Sequence, residues 1–64
     1  MEEKYRKMIL TMAECNMCTS EAARQLYYHR NTFAYHLERI KEIYCLNPNN
    51  FYDLCKLVEM AKEG

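Results

Sequence analysis

Apolar residues recur along this chain at helical spacing, and the breaks between the recurrences divide it into four segments. Tyr5, Met8, Ile9, Met12 and Ala13 form a stripe of period 3.6, which predicts a first helix over residues 3–15. In the second segment Ala22, Ala23 and Leu26 fall on one side, with Glu21, Arg24 and Gln25 on the other. That alternation predicts a short amphipathic helix over 20–26. Phe33, Leu37, Ile40 and Tyr44 recur at i, i+4, i+7 and i+11, a single apolar stripe that predicts a third helix over 30–44. The string from Cys45 to Asn50, which includes Pro48, breaks the pattern. A last helix over 51–62 then buries Phe51, Leu54, Leu57 or Val58, and Ala61. Thr19 or Ser20 is expected to cap the second helix, with Glu21 favourable in its first turn, and Asn50 to cap the fourth, with Asp53 three residues on. The fold class expected is all-α, a four-helix bundle without internal repeats.

The second and third segments carry the functional information. Only Tyr27, Tyr28 and His29 separate their helical patterns, the spacing of a helix-turn-helix. Two helices that cross steeply over so short a turn must approach closely, and the Ala22-Ala23 pair leaves room for Phe33 and Leu37. On the third helix the face opposite the stripe carries Asn31, Tyr35, Glu38 and Arg39, flanked by Thr32 and Ala34 and preceded by Arg30. Tyr35 lies almost diametrically opposite the stripe and should be exposed. Arg, Asn, Thr and Tyr at the start of such a helix hydrogen-bond base edges and phosphate oxygens, and the free N–H groups there suit a phosphate.

From Ser20 to Pro48 the sequence resembles the C-terminal helix-turn-helix domain of the PucR-type bacterial regulators, which include purine-catabolism and sugar-diacid regulators. The pattern of that family is roughly S/T-x-A-A-x-x-L-x-[IV]-H-R-N-T-L-x-Y-R-L-x-x-I. His29, Arg30, Asn31, Thr32, Tyr35, Leu37 and Ile40 match it, as do Ala22, Ala23 and Leu26 upstream. The likeness continues less tightly through the final helix and back to about Met8. At lower detail the chain is also similar to the DNA-binding half of the nucleoid protein Fis. Where the family has a basic residue after its Thr-Leu pair and the Arg of Tyr-Arg-Leu, this chain has Ala34 and His36. Tyr28 replaces an aliphatic turn residue, Tyr27 stands where many helix-turn-helix proteins have Gly, and Cys45 stands where the family commonly has Gly after the recognition helix.

Composition sets limits. Sixty-four residues form one domain, spanning 1–64, that buries only about 60% of its unfolded surface and has no room for a catalytic cleft plus a scaffold. No apolar run approaches the roughly 20 residues needed to cross a bilayer, and MEEKYRK at the start lacks the pattern of a signal peptide, so a cytoplasmic location is expected. The net charge is zero, but from Ser20 to Lys41 the cations Arg24, Arg30, Arg39 and Lys41 face only Glu21 and Glu38. This modest basic patch predicts weak isolated binding, strengthened by a second copy or further domains.

Cys15 and Cys18 form a C-x-x-C, and Cys45 and Cys55 would complete a tetrahedral zinc set, but the later pair brackets a helix start rather than a knuckle. The cysteines are therefore read as reduced small hydrophobes, with neither zinc nor disulfides expected. The methionines are read as core filler. His29 and His36 have no adjacent nucleophile or carboxylate pair, so no enzyme and no cofactor are expected. A turn role or a phosphate hydrogen bond suits His29, and partial burial suits His36.

The expected function is sequence-specific binding of double-stranded DNA as a domain of a bacterial transcriptional regulator, with no small-molecule ligand in the domain. Arg30 and Asn31 are the expected base readers. Thr32, Tyr35, Arg39, and Thr19 and Ser20 at the start of the second helix grip the backbone, with Arg24 and His29 as further phosphate contacts. Arg39 can also pair with Tyr35 or Glu42 within its helix. The resemblance implies a domain at the C-terminus of a longer chain. A homodimer would present two recognition helices about 34 Å apart. The competing reading is a helix-turn-helix bundle that has exchanged DNA for a protein partner, favoured by the zero net charge, Ala34, His36 and the tyrosines.

Overall fold

The computed structural model describes residues 1–63 and contains four helices: α1 (Glu3–Glu14), α2 (Thr19–Gln25), α3 (Arg30–Tyr44) and α4 (Phe51–Glu63). α1 packs against α4 and α2, and α2 packs against α3, so α1 is the base on which the helix-turn-helix of α2 and α3 stands. Fifteen residues of α-helix span about 22 Å, and α3 therefore runs nearly the full length of a molecule measuring 25 × 21 × 21 Å.

The core is built from the stripes that the periodicity predicts. Tyr5, Met8, Ile9 and Met12 of α1 meet Ala22 and Ala23 of α2, Phe33, Leu37 and Ile40 of α3, and Leu54, Leu57 and Ala61 of α4. The two alanines are buried at the α2–α3 crossing, as expected of helices in close approach. Between the alternatives for α4, Leu57 is fully buried and Val58 only half-buried. Arg6 of α1 donates from Nε to the carbonyl oxygen of Ala61 at 2.9 Å. It thereby satisfies one of the acceptors left open at the end of α4, where a cation also suits the helix dipole.

Several expectations need correction. Phe51 is 60% exposed: it edges an open apolar groove that it shares with Ala13 at the end of α1, Met17, Leu54 and Val58, and the short Ala13 side chain leaves it uncovered. Ala13 is exposed, and the buried Thr11 flanks the stripe on its opposite edge. Met8 and Met12 are core residues, whereas Met60 lies largely on the surface. Thr19 and Ser20 are not caps: α2 begins at Thr19 after an extended Cys18, and no side chain caps it. Consequently α2 covers 19–25 rather than 20–26, with Leu26 just past its end and half-buried. At the other ends, α1 stops at Glu14 and α4 runs on to Glu63.

The helix ends use left-handed residues in place of glycine. Asn16 and Met17 after α1, Tyr27 after α2 and Cys45 after α3 all have φ between 55° and 66°. Behind α2 the N–H of Tyr28 donates to the carbonyl of Ala23 and that of Tyr27 to Arg24, the paired bonds of a Schellman motif with tyrosine at the glycine position. Cys45 ends α3 by donating its N–H to Lys41 at 2.9 Å. A Cβ in this region costs about 1 kcal/mol more than glycine. Cys45→Gly is therefore expected to raise the thermal midpoint by about 4–8 °C, and the exposed Tyr27→Gly to behave similarly; an unchanged or lower midpoint in both would mean that neither residue is strained.

The start of α4 has the expected cap. Asn50 accepts through Oδ1 from the N–H of Asp53 at 3.1 Å, and the Asp53 carboxylate reaches back to the N–H of Asn47 at 3.0 Å. Removing such a cap costs about 1 kcal/mol, so Asn50→Ala should lower the midpoint of thermal unfolding by several degrees, read by circular dichroism.

Candidate nucleic-acid interface

The N-terminus of α3 is the centre of the site. His29 stands at the N-cap in extended conformation, and its Nδ1 accepts from the N–H of Asn31 at 3.1 Å. The turn role expected of His29 is thus a capping role, performed by a ring nitrogen rather than by a Ser, Thr, Asp or Asn oxygen. The first turns of the four helices differ in charge. Glu3, Glu21 and Asp53 place an acidic side chain in the first turns of α1, α2 and α4, whereas the first turn of α3 has none and begins with Arg30. A cation there opposes the helix dipole, and the start of α3 carries the charge that suits an anion, unlike the other three helix starts.

The turn and the short α2 bring further side chains to this end. An open depression of about 460 Å³ is lined by Ser20, Arg24, Tyr28, His29, Arg30 and Asn31. On the other side of Arg30, a second depression brings Thr19 of α2 beside Arg30, Ala34 and Glu38 of α3 and Asn49 of the loop after α3. Six of the expected residues, Thr19, Ser20, Arg24, His29, Arg30 and Asn31, therefore surround one end of α3. Asn49 is an addition with no signal in the sequence. Thr32, Tyr35 and Arg39 lie further along the exposed face at i, i+3 and i+7, outside both depressions. Tyr35 is 61% exposed, as its position opposite the stripe requires.

The charges are less free than the sequence count implies. Glu21 holds Arg24 in hydrogen bonds from both Nε and a terminal nitrogen, and Glu42 holds Arg39 at 3.0 Å. Hydrogen bonding first, and charge second, raises both guanidinium groups above their ordinary values. These are exposed i,i+3 pairs, which contribute little to stability and open readily toward a stronger anion. Among the described residues of α2 and α3, Arg30 and Lys41 make no ion pair.

His36 does not face outward. Its ring meets the edges or faces of Tyr5, Tyr28 and Tyr35 at centroid distances of 6.2, 5.6 and 5.5 Å, and its buried Nδ1 has no hydrogen-bond partner. Burial first, and the charge of Lys4 second, pushes it below its ordinary value. The folded chain therefore resists protonation that the unfolded chain accepts, and stability falls as pH drops through about 6.5 toward the lower folded value. His36→Phe is expected to flatten the dependence of the thermal midpoint over that window; an unchanged slope would assign the acid sensitivity elsewhere.

The PucR C-terminal helix-turn-helix domain model matches residues 5–60. The chain belongs to that family. No curated protein and no solved structure gives a significant match. Among the described residues, no helix is long and apolar enough to cross a membrane, and no group of three or more His, Cys, Asp and Glu side chains is placed to hold a metal ion.

Proposed function

We propose that this PucR-type domain binds double-stranded DNA in a sequence-specific manner as part of a bacterial, cytoplasmic transcriptional regulator, with α3 in the major groove. The observation that carries this reading is the start of α3, where the exposed Arg30 makes no ion pair and the first turn holds no acidic side chain. Arg30 and Asn31 read base edges from that position. Thr19, Ser20, His29 and Thr32 contact the backbone, and Arg24 and Arg39 exchange their carboxylates for phosphates. Tyr35 packs against the sugar-phosphate chain on the far side of the groove. The chain acts as a single domain of a longer regulator, and a homodimer places two copies of α3 about one helical turn apart on a two-fold operator.

The engagement of Arg24 by Glu21 and Arg39 by Glu42 favours a second reading, a helix-turn-helix that binds a protein in place of DNA. Fluorescence anisotropy with a random-sequence duplex at low and moderate salt separates the two. Expected is binding whose logarithm falls with the logarithm of salt with a slope of about −2 to −4, for some two to four neutralised phosphates per domain. The same titration on two copies joined by a flexible linker removes the need for a separate dimerising region. Absence of binding by both forms would sink the DNA reading and leave the protein-partner one.

A further inference from the structure

The connection between α1 and α2 has a shape that the helix-turn-helix alone does not require. The N–H of Cys18 donates to the carbonyl of Cys15 at 3.0 Å, closing a four-residue turn whose central residues, Asn16 and Met17, both have positive φ, at 55° and 66°. That is the pattern of a type I′ turn, with cysteine at its first and last positions. Such a turn brings the two Cα atoms within about 7 Å, and a disulfide spans about 4.4–6.8 Å between Cα atoms. Cys18 is exposed and Cys15 half-buried, and both are free thiols in this structure. The two differ chemically as well: burial first, and the Glu21 carboxylate second, pushes the Cys15 thiol up, whereas Cys18 lies at the open edge of the turn.

We propose that Cys15 and Cys18 are a redox-modification site that closes reversibly into a disulfide on reaction with a small-molecule disulfide of the glutathione type. The exposed Cys18 attacks first as the thiolate, forming a mixed disulfide and expelling one small thiolate. The Cys15 sulfur then attacks Cys18 Sγ, closes the Cys15–Cys18 bond and expels the second. One S–S bond is lost from the oxidant and one is gained by the protein. The two protein sulfurs are oxidised, the oxidant leaves as two thiols, and these carry away the two protons. The bond fixes the turn from which α2 starts, two residues before Ser20.

Cys45 and Cys55 provide an internal comparison, since they are exposed thiols joined by no such turn. The reduced protein is equilibrated with glutathione buffers of increasing oxidised fraction, then quenched with an alkylating agent, digested and mapped by mass spectrometry. Expected is the paired loss of alkylation at Cys15 and Cys18, with a cross-linked 15–18 product lighter by two hydrogens and no retained glutathione. In Cys15→Ser the mixed disulfide on Cys18 should persist, because nothing resolves it. Cys18→Ser should leave Cys15 largely alkylatable. The oxidised wild type should melt several degrees higher than the reduced form, because the hydrogen-bonded turn already holds the two Cα atoms close together and the bond then restricts the unfolded chain. A glutathione adduct retained on wild-type Cys18, pairing of either cysteine with Cys45 or Cys55, or a lower midpoint on oxidation would each overturn the proposal.

Discussion

Phe33→Ala is expected to abolish cooperative folding of the domain near room temperature. Phe33 is 1% exposed, stands where α3 crosses the alanines of α2, and packs against Tyr28 at a centroid distance of 6.0 Å. Truncating a buried phenylalanine costs about 3–5 kcal/mol through lost transfer energy and the cavity left behind. A chain of this size has a total stability of about 3–10 kcal/mol, at roughly 0.05–0.15 kcal/mol per residue. The loss is thus comparable to the whole. The alanines at the crossing cannot compensate, because they have no side-chain length with which to fill the space. Far-ultraviolet circular dichroism should show a reduced helical signal and a broad, non-sigmoidal melt. Phe33→Leu keeps most of the volume and should retain a sigmoidal melt at a lower midpoint. A Phe33→Ala variant that melts within a few degrees of the wild type would place the stability of the bundle in the α1–α4 layer and not at the helix-turn-helix crossing.

How much of the fold and the interface is legible in the residues depends on which physical constraint sets each feature. α3 runs over 30–44 as expected because its stripe is uninterrupted and Cys45 must leave the helix to continue the chain. The boundary of α2 departs from expectation because Thr19 and Ser20 have the chemistry of caps without acting as caps. Its start is set instead by the left-handed pair Asn16 and Met17, and no local rule places a methionine there. Phe51 lies in register with Leu54 and Val58, yet register reports which side of a helix is apolar and not whether another element reaches far enough to cover it. The residues of the candidate interface are largely legible because they sit on or beside one helix whose phase is fixed by its stripe. The pairing of Arg39 with Glu42 is foreseeable from their spacing, and that of Arg24 with Glu21 obeys the same i,i+3 rule. The contribution of Asn49 to the surroundings of Arg30 is not, because it depends on the path of a loop after α3.

Arg30→Ala is expected to remove most of the proposed DNA affinity while leaving the fold intact or slightly steadier. At the first position of α3 its positive charge opposes the helix dipole, an unfavourable arrangement of about 0.3–1 kcal/mol, and no ion pair or burial offsets it. Stability alone would favour almost any other residue. If Arg30 makes a bidentate contact to a base, its loss costs about 1–3 kcal/mol, or roughly 5- to 150-fold in affinity. If it contacts phosphate alone, the loss should be nearly uniform across sequences and should reduce the salt slope by about one. Titrating the variant against a selected operator and a random duplex distinguishes these cases. Lys62→Ala, at the far end of α4, removes the same charge from a surface outside the interface and should leave both affinities unchanged. Equal weakening by the two variants would mean that net charge, not the start of α3, governs binding. An Arg30→Ala variant that binds like the wild type would remove α3 from its assignment as the recognition helix.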